Sequence, residues 1–202
     1  MCTVDWNLLA NVVTAIASLA TVVLALIALR SWRIQLHGSS KHAAAQQIAV
    51  AARMLSYAFY DARSPMIWAG EFPPEYYETG HQDRTNALVS RAYQHVYGAR
   101  WKELWPYVSA LAKLRPLAGA VFDDSVAKAV EDLARKAREL QFLQEQDIQH
   151  KRDGDELVGQ YGDQNFVRRV RDSVQATKDS DDPLTMEFEA EMKKLLDLLS
   201  KY

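Results

Sequence analysis

The sequence predicts an all-α chain: a single N-terminal transmembrane helix followed by a cytoplasmic antiparallel helical bundle. Three observations carry this. Leu8 to Leu29 is a run of 22 residues without a charge. Behind it, apolar residues recur at spacings of three and four rather than two, the period of a helix face. Prolines and capping residues divide the remainder into helix-length pieces, with no β-rich alternation and no internal repeat. At 202 residues the chain has room for a membrane segment and one compact domain. We divide it into an anchor with its flanks, residues 1–36, and a helical domain, residues 37–202.

Twelve of the 22 anchor residues are Leu, Val or Ile and six are Ala. As a helix they span about 33 Å, close to a hydrocarbon core. The polar remainder is Asn11, Thr14, Ser18 and Thr21, small groups that bond within a helix. Trp6 and Trp32 bracket the segment about 39 Å apart, as amphipathic rings do at two headgroup layers. A cleaved signal peptide would want a basic start and a shorter apolar run, whereas here Asp5 precedes the run and Arg30 and Arg33 stop it. Basic residues lie on the C-terminal side only. The positive-inside rule therefore places the N-terminus outside and residues 30–202 in the cytoplasm, at an inner membrane. Arg30, Arg33 and Lys41 are the cations nearest the headgroups, with Arg53 expected deeper in the bundle. Asn11, Thr14, Ser18, Thr21, Ala25 and Ala28 recur at spacings of three and four, a stripe of small and polar groups. Such a stripe lets two helices approach, so the expected partners are the membrane and a second copy of this chain, a homo-oligomer joined through the anchor.

Gly38-Ser39-Ser40 reads as a break, and Lys41 to Ala62 as a helix apolar almost all round, with Ile48, Val50, Met54, Leu55, Tyr57 and Phe59. Such a helix is expected at the centre of its bundle. Ser64-Pro65 and Glu71-Phe72-Pro73-Pro74 open a long loop to about Gln82. A second helix follows from Arg84 to Trp105, and Pro106 starts or kinks a third that ends near Ala118. Asp123, Asp124 and Ser125 are N-cap candidates for a helix in which Val126, Val130, Leu133, Ala137 and Leu140 form a heptad-like stripe. About three heptads suit a bundle helix better than a coiled coil. Asp153-Gly154 through Gly162 reads as loop, and Asn165 to Thr177 as a further helix. Asp182-Pro183 then caps and starts a last one, striped by Leu184, Phe188, Met192, Leu195 and Leu199.

The order of these features resembles a group of uncharacterised bacterial single-pass membrane proteins. The residues that carry the likeness are Trp32-Arg33-Ile34-Gln35-Leu36-His37-Gly38 after the apolar segment, Ala51-Ala52-Arg53, Arg63-Ser64-Pro65 and Arg100-Trp101. The resemblance implies a bacterial inner-membrane protein with a helical cytoplasmic region, and it brings no activity with it.

Composition narrows the function classes. Residues 61–202 carry 20 basic against 25 acidic residues, so no dense cationic face recommends nucleic acid as a partner. Cys2 is the single cysteine, which rules out an intramolecular disulfide and a cysteine-based zinc site. Glu75, Glu78 and His81 fall at i, i+3, i+6, and Glu78-x-x-His81 has the spacing of a di-iron helix, but in a loop and without the other ligands that site needs. His37, His42 and His95 have no nucleophile or carboxylate at local spacing, and Ser39, Ser40 and Ser64 stand in no nucleophile elbow. Asp153-Gly154-Asp155-Glu156 lacks the remaining ligands of a calcium loop, and no phosphate-binding glycine pattern occurs. We therefore expect neither catalysis nor a cofactor. Residues 57–107 hold 12 of the chain's 20 aromatics, with Arg91 and Arg100 among them. Core packing is one reading of that density and a protein-binding surface the other. The chain reads as a membrane-anchored interaction or scaffold protein. The rival readings are a tethered enzyme or effector whose site is assembled from separated helices, and a small oligomeric pore lined by the anchor's polar stripe.

Overall fold

The computed structural model describes residues 6–153, 164–177 and 181–202, and every regular element among them is helical. The chain forms two compact units, Met1–Ala43 with Tyr202, and Ala44–Lys201. The second begins a few residues beyond the division at 36/37 read from the sequence.

Helix α1 (Trp6–Ala62) contributes to both units. It runs unbroken through Gly38-Ser39-Ser40, correcting the break expected there. A glycine inside a helix costs only about 1 kcal/mol, strong helix formers stand within a turn or two on both sides at Gln35-Leu36 and at Lys41 and Ala43-Ala44-Ala45, and no proline removes a backbone donor. In the first unit α1 is exposed from Thr14 to Arg33, including Leu19, Leu24, Leu26 and Leu29. By length and composition this one helix is apolar enough to cross a membrane.

In the second unit α1 buries Ala45, Ile48, Ala52, Leu55 and Phe59, at spacings of three and four. Only that face is covered. Val50, Met54 and Tyr57 are exposed, with Tyr57 at 75%, so the helix is not central as its all-round apolarity suggested. Arg53 is exposed as well, rather than deep in the bundle. The expected long loop holds short helical turns at Ala69–Glu71 and His81–Asp83 and a five-residue helix, α2 (Pro74–Glu78), started by its prolines.

Helix α3 (Asn86–Lys113) is capped by the Thr85 hydroxyl, which accepts from Leu88 N–H, and continues through the exposed Pro106. The break falls instead at Leu114, where α4 (Arg115–Val121) begins with Pro116 in its first turn. Helix α5 (Asp124–Asp153) is the hub of the bundle. Asp123 caps it, accepting from Ser125 N–H at 2.9 Å and Val126 N–H at 3.1 Å. Its stripe Val126, Val130, Leu133, Ala137 and Leu140 is fully buried against α3, α4, α6 (Gln164–Val174) and α7 (Pro183–Leu199). Several different neighbours, not one parallel partner, make this a bundle helix. The stripe of α7 is buried as expected, and Phe188 stacks on Phe59 of α1 with centroids 4.0 Å apart. A smaller cluster joins Val96 and Tyr97 of α3 to Val170 and Val174 of α6. The expected loop from Gly154 to Gly162 lies outside the described residues.

Candidate functional site

The end of α1 is fixed by two arginines, Arg63, for which the sequence offers no role, and Arg100, which the sequence places among the aromatics of a protein-binding surface. Arg63 is fully buried. Its Nε donates to Ser173 O at 2.7 Å, one terminal nitrogen to Thr185 Oγ1 at 2.8 Å and the other to Asp182 Oδ1 at 2.8 Å. Burial works against the guanidinium charge, and the Asp182 carboxylate supports it. The same carboxylate caps α7 through Thr185 N–H at 3.1 Å. Arg63 thus ties the C-terminus of α1 to the start of α7 and the last turn of α6, and Ala176 N–H, just beyond α6, returns a bond to Arg63 O.

Arg100, from the middle of α3, secures the chain on the other side of that corner. It donates to Ser64 O at 2.7 Å and Met66 O at 2.8 Å, and forks onto both oxygens of Glu71 at 2.7 and 3.0 Å. The fork and the Trp68 N–H bond hold the Glu71 carboxyl below the ordinary carboxylate range, although partial burial opposes them. Two stretches that carry the sequence resemblance, Arg63-Ser64-Pro65 and Arg100-Trp101, therefore meet in space. Nothing local marks Arg63 for burial, because its partners lie 110 to 122 residues away.

Beside this corner runs an open groove of about 700 Å³. One wall is Met54, Tyr57, Ala58 and Asp61 of α1, and the other is Arg100, Glu103, Leu104 and Tyr107 of α3. Each set falls at i, i+3, i+4, i+7, one helix face confronting another. A second depression of about 280 Å³ shares Asp61, Arg100 and Glu103 and adds Met66 and Trp68. Arg100 is spent on the corner, but Asp61 and Glu103 are exposed and have no ion-pair partner among the described residues. The groove is mostly apolar, with two available carboxylates, Asp61 and Glu103, among its lining.

The aromatic-rich stretch 57–107 divides between the two roles considered for it. Phe59 and Tyr97 are buried, whereas Tyr57, Trp68, Tyr77, Trp105 and Tyr107 are exposed. Arg91 is exposed on α3. Glu75 and Glu78 stand on α2 rather than in a loop, and His81 in the following turn, with no cluster of three metal-ligating groups among the described residues. His42 and His95 are exposed.

Among the residues expected at a membrane, Trp6 is the first of α1, and Arg30, Trp32, Arg33 and Lys41 are all exposed along it. Asn11, Thr14, Ser18, Thr21, Ala25 and Ala28 are exposed too. The Ser18 hydroxyl donates to Thr14 O at 2.8 Å and that of Thr21 to Ala17 O at 2.9 Å, so both are satisfied within the helix.

Fold and site together define an all-α domain with a surface groove, carried on a helix long and apolar enough to cross a membrane. No protein family model, curated protein or solved structure matches the chain.

Proposed function

We propose that this chain is a membrane-tethered docking protein, anchored by the apolar part of α1 in a bacterial inner membrane, with its helical domain on the cytoplasmic face. The observation that carries the reading is the contrast within α1. Residues 14–33 expose their apolar side chains all round, while residues 44–62 bury one regular face in a core. Exposed Leu, Ile and Val at about 25 cal/mol per Å² of apolar surface make water the wrong solvent for the first stretch, and lipid the fitting one.

The groove supplies the docking surface in this reading. Its apolar walls and its two available carboxylates fit an amphipathic protein segment with Lys or Arg beside its apolar anchors. A photo-crosslinking residue placed at Tyr57 in the full chain, in intact cells, tests the proposal against the same residue at Arg138, an exposed position on α5. We expect a discrete protein adduct from position 57 alone, lost when Asp61 and Glu103 are replaced by Lys. Identical capture from both positions, or capture that survives the charge reversal, would overturn the groove as the docking surface. Extraction of the chain from membranes by alkaline carbonate would overturn the tether.

A further inference from the structure

A second cavity, of about 450 Å³, lies where α3, α5 and the end of α6 meet. Its wall includes Asn86 and Tyr93 from α3, His150 and Lys151 from α5, and Arg171 and Gln175 at the end of α6. Val89 adds an aliphatic surface. We propose that this cavity binds a soluble small molecule through a phosphate group, with Arg171 and Lys151 as the charged contacts.

Lys151 is placed by its surroundings. Its ammonium bonds to Asp147, whose carboxylate is nearly buried and also accepts from the Tyr97 hydroxyl at 2.6 Å. The Tyr93 ring lies 4.2 Å from the same nitrogen. With one donor on Asp147, the ammonium keeps two more. Burial destabilises this charge and Arg171 pushes in the same direction, while Asp147 opposes both. Arg171 is exposed and makes no ion pair among the described residues. Among the described residues two cations converge against one carboxylate, Asp147, which stands behind Lys151 rather than in the cavity wall. An anion entering the cavity would offset that excess.

The donors favour phosphate over carboxylate. A guanidinium fork, an ammonium, the Asn86 amide and a phenol offer more N–H and O–H groups than the two oxygens of a carboxylate take up, even with the Gln175 amide engaged by Tyr97, whereas a phosphate monoester presents three strongly accepting oxygens. The Nδ1 atom of His150 is buried with no partner among the described residues, a further polar group without a role in the fold. The volume lies in the range of small-molecule sites, which leaves room for an organic group along Tyr93 and Val89. The charges come from two separate helices and the Asn86 amide from a third, so no local motif announces the site.

Titration of the purified full chain in zwitterionic detergent, with inorganic phosphate and with adenosine 5′-monophosphate as probes, decides the matter. Saturable binding of both is expected, with the monophosphate competing for the phosphate site. Arg171→Gln should weaken both by about tenfold or more, the scale of one charge-assisted hydrogen bond. Arg168→Gln, an exposed arginine on the same helix paired with Asp172, should leave binding unchanged. Equal loss in the two variants would reduce the effect to a general field of positive charge and overturn the site. Absence of saturation for either probe up to about 10 mM would do so as well. Displacement of phosphate by phosphatidate doped into the micelles, and not by the monophosphate, would overturn the assignment to a soluble ligand.

Discussion

Arg63 shows how far a single residue's role depends on distant sequence. A charged side chain with no exposed surface is tolerated only when its donors are met, and here Ser173, Thr185 and Asp182 each accept from it. Replacing it with methionine keeps much of the volume but takes the Arg63 charge away from the buried Asp182 carboxylate. We expect Arg63→Met to destabilise the domain by about 3–5 kcal/mol, read as a lower midpoint in urea denaturation. Arg100→Gln should cost less, because Glu71 is partly exposed and can be hydrated. A midpoint for Arg63→Met equal to that of the native chain would remove the corner from the account of stability. The sequence made half of this legible. Asp182 reads as a cap from its place before Pro183, and it is one. Its second task is invisible, since capping is a local pattern and the bond to Arg63 spans 119 residues.

At the scale of elements, periodic signals were the reliable ones. The stripes of α5 and α7 have spacings that only a helix produces, and their residues are buried as a set. Apolarity without periodicity misled. The segment 41–62 looked buried on all sides, yet Val50, Met54 and Tyr57 face outward, and Met54 and Tyr57 form one wall of the groove. Composition tells what a side chain prefers, whereas only the partner helix decides which preferences are met. The break at Gly38 failed for a different reason, a small intrinsic penalty set against a long cooperative helix. A β-carbon added at Gly38 would meet nothing within 4 Å, and its backbone is not in the left-handed region. Gly38→Ala should therefore stabilise the helix locally by about 1 kcal/mol. Hydrogen exchange of the full chain in detergent should then show amides near residue 38 slowed by roughly fivefold. Unchanged or faster exchange there would mean that α1 is interrupted at Gly38 in solution.

For the whole molecule, the proposed bilayer setting leaves one face of the anchor to be explained. A lone spanning helix can cover its small-residue stripe only with lipid or with another chain, and self-association is the reading we propose. The structure changes what should hold such a pair together. Ser18 and Thr21 already bond to carbonyls of their own helix, so their hydroxyls have little to gain across an interface. What they offer is small volume, which lets two backbones approach. Close packing therefore predicts a different result from hydrogen bonding. Replacing Ser18 and Thr21 by Ala should keep association nearly intact, within about 0.5 kcal/mol, because the groove between ridges survives. Replacing the same pair by Leu should weaken it by about 1–2 kcal/mol, roughly tenfold, by filling that groove. Leu at Ile16 and Val23, on the opposite face, serves as the control and should change nothing. Single-molecule photobleaching of the labelled full chain in dilute lipid bilayers measures all three. Loss on alanine substitution would transfer the seam to the hydroxyls. Equal behaviour of the two leucine pairs, or a native chain that stays monomeric, would leave the anchor as a tether alone.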